Sequence, residues 1–230
     1  MPFFPVDAKR RQRSWHRRLK HQSCIYCGQP GGHPDHVPPA GTFYGEPDDL
    51  ITVPCCADCT NEASELDHEF RVAVSLPVSV SGHTAREAWM KSSAAGAVRA
   101  PKLRTPLSQT LRRTSDGGGV LLPTNALSAV GIRIVRGLFW HEYGDRLSPT
   151  TPISVGRIGS VTEIPENLGG AFTKREVADG QFRYGFFRLK DEPDCSCWVL
   201  EFHGKITLLA QSNRSHDRSA LLGSTVLSSP

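Results

Sequence analysis

Apolar and polar positions alternate in three distinct ways along this chain, and each way predicts a different kind of element. From Cys56 onward, Ala63, Leu66, Phe70, Val72, Ala73 and Leu76 recur at mixed three- and four-residue steps, which predicts a helix ending before Pro77. A second helical run starts where Thr124 can cap it, carries Ala126, Leu127, Val130, Ile134, Leu138 and Phe139 on one face, and ends around Gly144. Between them, residues 82–113 read as one or two helices, with Thr84 as a cap and Pro101 and Pro106 as punctuation. After Pro149 and Pro152 the period shortens. Gln181–Leu189, Cys197–Phe202 and Lys205–Gln211 read as strands, with His203-Gly204 as a tight turn. Two short extended pieces, Asp35–Val37 and Leu50–Val53, precede the first helix. The loop between them holds Pro38, Pro39, Gly41, Gly45 and Pro47, which forbid a helix there. Asp116-Gly117-Gly118-Gly119 reads as a loop, and the Ser-rich stretch after Ser212 as a frayed tail.

Charge divides the chain differently. The net charge of +4 is modest, but seven of the bases, Lys9, Arg10, Arg11, Arg13, Arg17, Arg18 and Lys20, crowd the N-terminus. They read either as a phosphate-contacting arm or as a solvated tail. From Asp35 to Phe70 there is no Lys or Arg, yet there are nine acids, and from Arg71 to Arg113 only Glu87 is acidic. An acidic island between basic flanks suits a cation site between polyanion-binding surfaces. The pattern divides the chain into a basic arm at 1–22, a small module at 23–76, an α+β region at 77–212 and a tail at 213–230. The start lacks the apolar segment of a secretory signal, and no run approaches the ~18 apolar residues of a membrane span. A cytoplasmic protein with no membrane partner is therefore expected.

Seven cysteines are present, an odd number, and a reducing cytoplasm favours metal over disulfide for them. Cys24 and Cys27 form one Cys-x-x-Cys pair, and Cys56 and Cys59 a second. Such a turn presents two thiolates to one ion, so two turns complete a tetrahedral zinc shell. Cys55 offers a competing register with Cys59. The two-residue spacing selects Cys56, leaving Cys55 as a small buried apolar residue. Gly28 directly after Cys27 frees the backbone to fold around the ion. Twenty-eight residues separate the pairs, so something is folded between them. That insert contains Asp35-His36. A carboxylate binds a hard ion such as Mg²⁺, and an imidazole can take a proton from water near neutral pH. Adjacent strand residues point to opposite faces, so both serve one site only if the strand bends at Pro38-Pro39. His33, His68, the Cys195/Cys197 pair and the His141-Glu142-Tyr143 run read as structural or surface groups.

These residues, Cys24-x2-Cys27-Gly28, Asp35-His36-Val37-Pro38-Pro39, and Leu50-Ile51-Thr52-Val53-Pro54 followed by Cys56-x2-Cys59 and Asn61, resemble the HNH endonuclease family with a zinc-stapled ββα-metal fold. The resemblance covers residues 24 to about 71. The remaining chain, including Arg136-Gly137-Leu138, is similar to the C-terminal region of a bacterial subfamily. The resemblance implies an α+β protein: a small zinc-stapled ββα-metal module, then a helical segment and an antiparallel β-rich C-terminal region. It implies hydrolysis of phosphodiester bonds in DNA, or in RNA, with structural Zn²⁺ and a catalytic Mg²⁺ or similar ion. His36 would be the general base and Asp35 a metal ligand. Asp49 stands where the family has an Asn that braces the loop carrying the base. Thr60 stands where the family has a metal-binding Asn, and Asn61 follows it, so Thr60 and Asn61 share the expectation of a second ligand. The alternative is a non-catalytic zinc module that binds nucleic acid through its basic arm and residues 99–113. A protein-binding scaffold is a third reading.

Overall fold

A computed structural model of the 230-residue chain describes residues 19, 21–75, 89, 93, 124–158 and 170–213. The helical reading of 82–113, apart from Trp89 and Ser93, lies outside these residues, as do the basic arm before Leu19, the Asp116–Gly119 loop and the tail after Asn213. Among the described residues the chain is α+β, with two helices and two antiparallel sheets.

The first sheet is a hairpin of β1 (His33–Val37) and β2 (Ile51–Cys55). Its register pairs Val37 with Ile51, Asp35 with Val53 and His33 with Cys55. Directly opposed residues share a face, and Val37, Ile51, Val53 and Cys55 are all buried on this one. The long connection between the strands contains a 3-10 turn at Ala40–Thr42 and a cis Val37–Pro38 bond. Helix α1 (Ala57–Ser75) follows at once and buries Ala63, Phe70, Ala73 and Val74. Helix α2 (Thr124–Tyr143) ends at Gly144, whose φ of +68° suits the left-handed residue after a helix. Both helices lie close to their expected bounds.

The second sheet has five strands in the order β3-β7-β6-β5-β4, all antiparallel. These are β3 (Ile153–Ile158), β4 (Thr173–Val177), β5 (Phe182–Arg188), β6 (Ser196–Phe202) and β7 (Ile206–Ser212). The three central strands match the expected ones within a residue or two. His203 and Gly204, with φ of +53° and +66°, close the β6–β7 turn through a Lys205 N–H to Phe202 C=O bond. One face of this sheet carries an aromatic row: Phe182, Tyr184 and Phe186 stack along β5, and Phe182 and Phe186 stack on Phe202 and Trp198 of β6.

The described residues before and after position 76 share one core. A single apolar cluster runs from Ile25 and Val37 through Phe70, Val130 and Leu138 to Trp198 and Ala210. Phe70 of α1 meets Phe202 edge-on at 5.2 Å. Each such fully buried aromatic contributes roughly 2–3 kcal/mol of burial. Polar links fix the same junction. Tyr44 and Gln181 exchange two hydrogen bonds, and His203 Nε2 donates to the Thr42 carbonyl. No helix among the described residues is long and apolar enough to cross a membrane.

Candidate functional site

The residues from Ser23 to Pro30 form a tight knuckle. Cys24 N–H donates to Gln29 C=O and Gly28 N–H donates to Cys24 C=O, and Gly28 takes φ +83°. A side chain there would be strained twice, because a Cβ would also stand 2.0 Å from Arg146 Nη1. The second pair of cysteines sits at the start of α1, where the Cys59 N–H points at Cys56 Sγ at 3.5 Å. Cys24, Cys27, Cys56 and Cys59 come together, with all four sulfurs within 4.8 Å of one another and Cys27 to Cys56 at 3.6 Å. A tetrahedral shell with 2.3 Å bonds to zinc has edges of roughly 3.8 Å, so the four thiols fit a metal ion such as zinc.

Burial works to raise the Cys24 thiol, but N–H groups of Cys27, Tyr26 and Cys56 outweigh it and bring it down to about 7. Burial first and the neighbouring thiols second push Cys59 up, and at Cys27 a backbone hydrogen bond from Gln29 lowers the thiol, but the same two causes outweigh it and raise it. Cys55 stands outside the group: it is fully buried, its thiol is pushed up to about 12 by burial, and it meets the Thr60 hydroxyl. The Cys56 register is thus the one the fold uses.

Asp35 and His36 are consecutive on β1, and the pleat separates their functional groups. Asp35 Oδ2 accepts two hydrogen bonds, from Tyr26 OH at 2.6 Å and from Arg133 Nη2 at 2.8 Å. This ion pair is largely shielded, with side-chain exposure of 19% for Arg133 and 14% for Asp35. Arg133 comes from α2. Its Nη1 donates to the carbonyl of Cys59 at 2.7 Å, and its guanidinium lies over the Tyr26 ring, 4.4 Å from the centroid. Burial acts to lower the Arg133 pKa, but Tyr26, Asp35, Asp67 and Cys55 together raise it. The His36 imidazole bonds across the hairpin instead, Nδ1 to Thr52 Oγ1 at 3.3 Å. Asp35, His36 and Arg133 border one small cavity of about 10 Å³, room for about one water.

The other expected site residues are directed elsewhere. Asp49 reaches toward the second sheet. Both of its carboxylate oxygens accept the backbone N–H of Ala178, at 3.0 Å each, and so tie the hairpin to the second sheet. A carboxylate can only accept, and the N–H that meets it lies in the turn after β4. Thr60 donates its hydroxyl to the Cys56 carbonyl at 3.0 Å, the usual back-bond of a helical Thr. Asn61 is exposed, one residue further round the helix. Asp35 Oδ2 is taken up by Tyr26 and Arg133, and the Thr60 hydroxyl by the Cys56 carbonyl, so neither oxygen is held ready for the expected catalytic divalent ion. The four cysteines are the group that fits a metal ion such as zinc.

Three contributors escaped the sequence reading: Tyr26, Asp67 and Arg133. The signal for Arg133 was a base set between the apolar positions Val130 and Ile134 of α2, facing a stretch of nine acids with no cation of its own. Asp67 of α1 completes the cluster. Its carboxyl is pushed up to about 6 by burial, with Asp35 adding to the rise and Arg133 opposing it, and its Oδ1 is buried without a hydrogen-bond partner. Of the groups read as structural or surface, Glu142 and Cys195 take part in side-chain contacts of the fold, whereas His68 has Nε2 buried without a hydrogen-bond partner. Glu142 accepts from Tyr184 OH and pairs with Arg175, and Cys195 is buried and donates to Glu192. Comparison with family models, curated proteins and solved structures finds no match to this chain.

Proposed function

We propose that residues 24–71 are a zinc-stapled ββα module of the HNH type, and that the chain uses it to bind nucleic acid without cutting it. The observation that carries this reading is the engagement of Asp35 by Arg133 and Tyr26. A carboxylate already neutralised and twice hydrogen-bonded on one oxygen is a poor ligand for a hard ion, which needs several oxygens. The four cysteines supply a scaffold that holds its shape in a reducing cytoplasm once zinc is bound. The seven bases between Lys9 and Lys20 supply the phosphate contacts.

The test uses the zinc-loaded full chain and plasmid DNA. Gel shifts and titrations at rising salt should give binding whose logarithm falls with the logarithm of salt at a slope up to about −6, the value for seven phosphate contacts. Replacing Arg10, Arg11 and Arg13 by Gln should make the slope shallower by roughly 3. The plasmid should remain intact with Mg²⁺, Mn²⁺ or Ni²⁺. A second reading, hydrolysis, keeps one observation in its favour: the His36 imidazole is fixed by Thr52 beside the cavity that Asp35 also borders. Metal-dependent cutting that disappears in His36→Ala, with zinc content unchanged, would replace the binding reading with that one.

A further inference from the structure

We infer that the resident cation of the Asp35 site is the guanidinium of Arg133, and that no divalent ion binds at Asp35 while Arg133 is in place. The inference rests on the binding reading above and explains it. An arginine carries five N–H donors in a planar fork. Here that fork is fixed on three sides: one terminal nitrogen on Asp35 Oδ2, the other on the Cys59 carbonyl, and one face on the Tyr26 ring. A divalent ion bonds to carboxylate oxygen at about 2.0–2.6 Å. On Oδ2 it would stand inside the space the Arg133 nitrogen fills at 2.8 Å. Its charge would also face a fixed positive charge at contact distance, where repulsion is strongest. The remaining cavity of about 10 Å³ has no room for an ion with its waters.

The charge balance points the same way. Arg133 is ion-paired with Asp35 of β1 and also feels the charge of Asp67 of α1. Arg133 also donates to the carbonyl of Cys59, one of the four clustered cysteines, which a free ion in the same place could not do. The residue belongs to α2, so the closure of Asp35 depends on the part of the chain that follows residue 76. Arg133 is therefore a positioning residue, and the cation it replaces is excluded rather than merely absent.

The test is Mn²⁺ binding to the zinc-loaded full chain. Mn²⁺ binds nitrogen, oxygen and sulfur sites more weakly than zinc, so it leaves the four thiolates occupied. Calorimetry and the electron paramagnetic resonance signal of free Mn²⁺ should show no binding to wild type that depends on Asp35. Arg133→Gln should gain a site with a dissociation constant of roughly 1 mM or tighter, and Arg133→Gln with Asp35→Asn should lose it. Wild-type binding that vanishes in Asp35→Asn overturns the inference. So does a folded, zinc-replete Arg133→Gln that takes up no Mn²⁺. Should Arg133→Gln fail to fold, wild type decides alone: paramagnetic broadening of the Tyr26 ring and Val53 methyl signals overturns the inference, and sharp signals at millimolar Mn²⁺ support it. If wild type binds Mn²⁺ through Asp35 and still leaves plasmid intact, this inference falls and the binding reading stands. If it also cuts, both fall.

Discussion

Asp67 shows how much one residue of the cluster contributes. It is half-buried, with its carboxyl pushed up to about 6 by burial first and by Asp35 second. In the unfolded chain the same group ionises near the ordinary aspartate value of 3.8. Between those values the folded state holds more protons than the unfolded one, so stability falls as pH rises through that window. Above about pH 6 the deficit is fully present, and it amounts to about 1–3 kcal/mol. Asp67→Asn should therefore stabilise the protein by that amount at pH 7.5, and by progressively less as pH is lowered toward 5. Urea unfolding of both zinc-loaded proteins at three pH values checks this, since the difference between them cancels the acid sensitivity of the thiolates. A gain that does not change with pH would show that burial of the charge is not its source. At this scale the cysteines were legible because their chemistry lies in their spacing. Arg133 and Asp67 were not, because their role depends on which helix faces meet, and spacing within one helix does not record that.

At the scale of elements, α2 is the pivot. It passes between the two sheets, and glycine admits it on both sides. A Cβ on Gly131 would stand 2.8 Å from Val155 Cγ1 of β3, and one on Gly137 would stand 2.5 Å from Val37 Cγ2 of β1. In an exposed helix, Gly→Ala gains about 1 kcal/mol from propensity. At Gly137 the added methyl meets the buried, β-branched Val37. Gly137→Ala should lower stability by about 1–3 kcal/mol, and Val37→Ala in the same chain should recover part of the loss. Chemical denaturation reads both. Stabilisation by Gly137→Ala alone would mean the hairpin yields at that contact. Elements with a buried stripe were the legible ones: α1, α2 and the three central strands. β3 and β4 were missed because they are the two edges of their sheet, and four of the five residues of β4 are exposed, which erases the alternation. One local signal for β4 was available. Asp179-Gly180 is a turn dipeptide, and both residues take positive φ in the turn between β4 and β5.

For the whole molecule, the continuous core sets the expectation of one unfolding transition. Phe70 against Phe202, the Tyr44–Gln181 exchange and the Asp49–Ala178 bond all cross from the cysteine-bearing half to the second sheet. Removing metal, by a strong chelator or by Cys56→Ser, should therefore lower the melting temperature of the entire protein, because ion binding contributes directly to folding. Near-ultraviolet circular dichroism of the second sheet, where Trp198 is fully buried, should shift together with the far-ultraviolet signal. A Trp198 signal that stays at its original temperature after the metal is gone would show two independent units.

The bond from Asp49 to Ala178 spans 129 positions of chain. During synthesis the four cysteines are all available once residue 59 has emerged, so the ion can be captured early. Arg133, Ala178 and Gln181 do not yet exist at that moment. At roughly 5–20 residues per second, the hairpin waits on the order of ten seconds with Asp35 uncovered and its loop unanchored. The order in which the groups become available is thus the four cysteines first, the arginine second and the second sheet last.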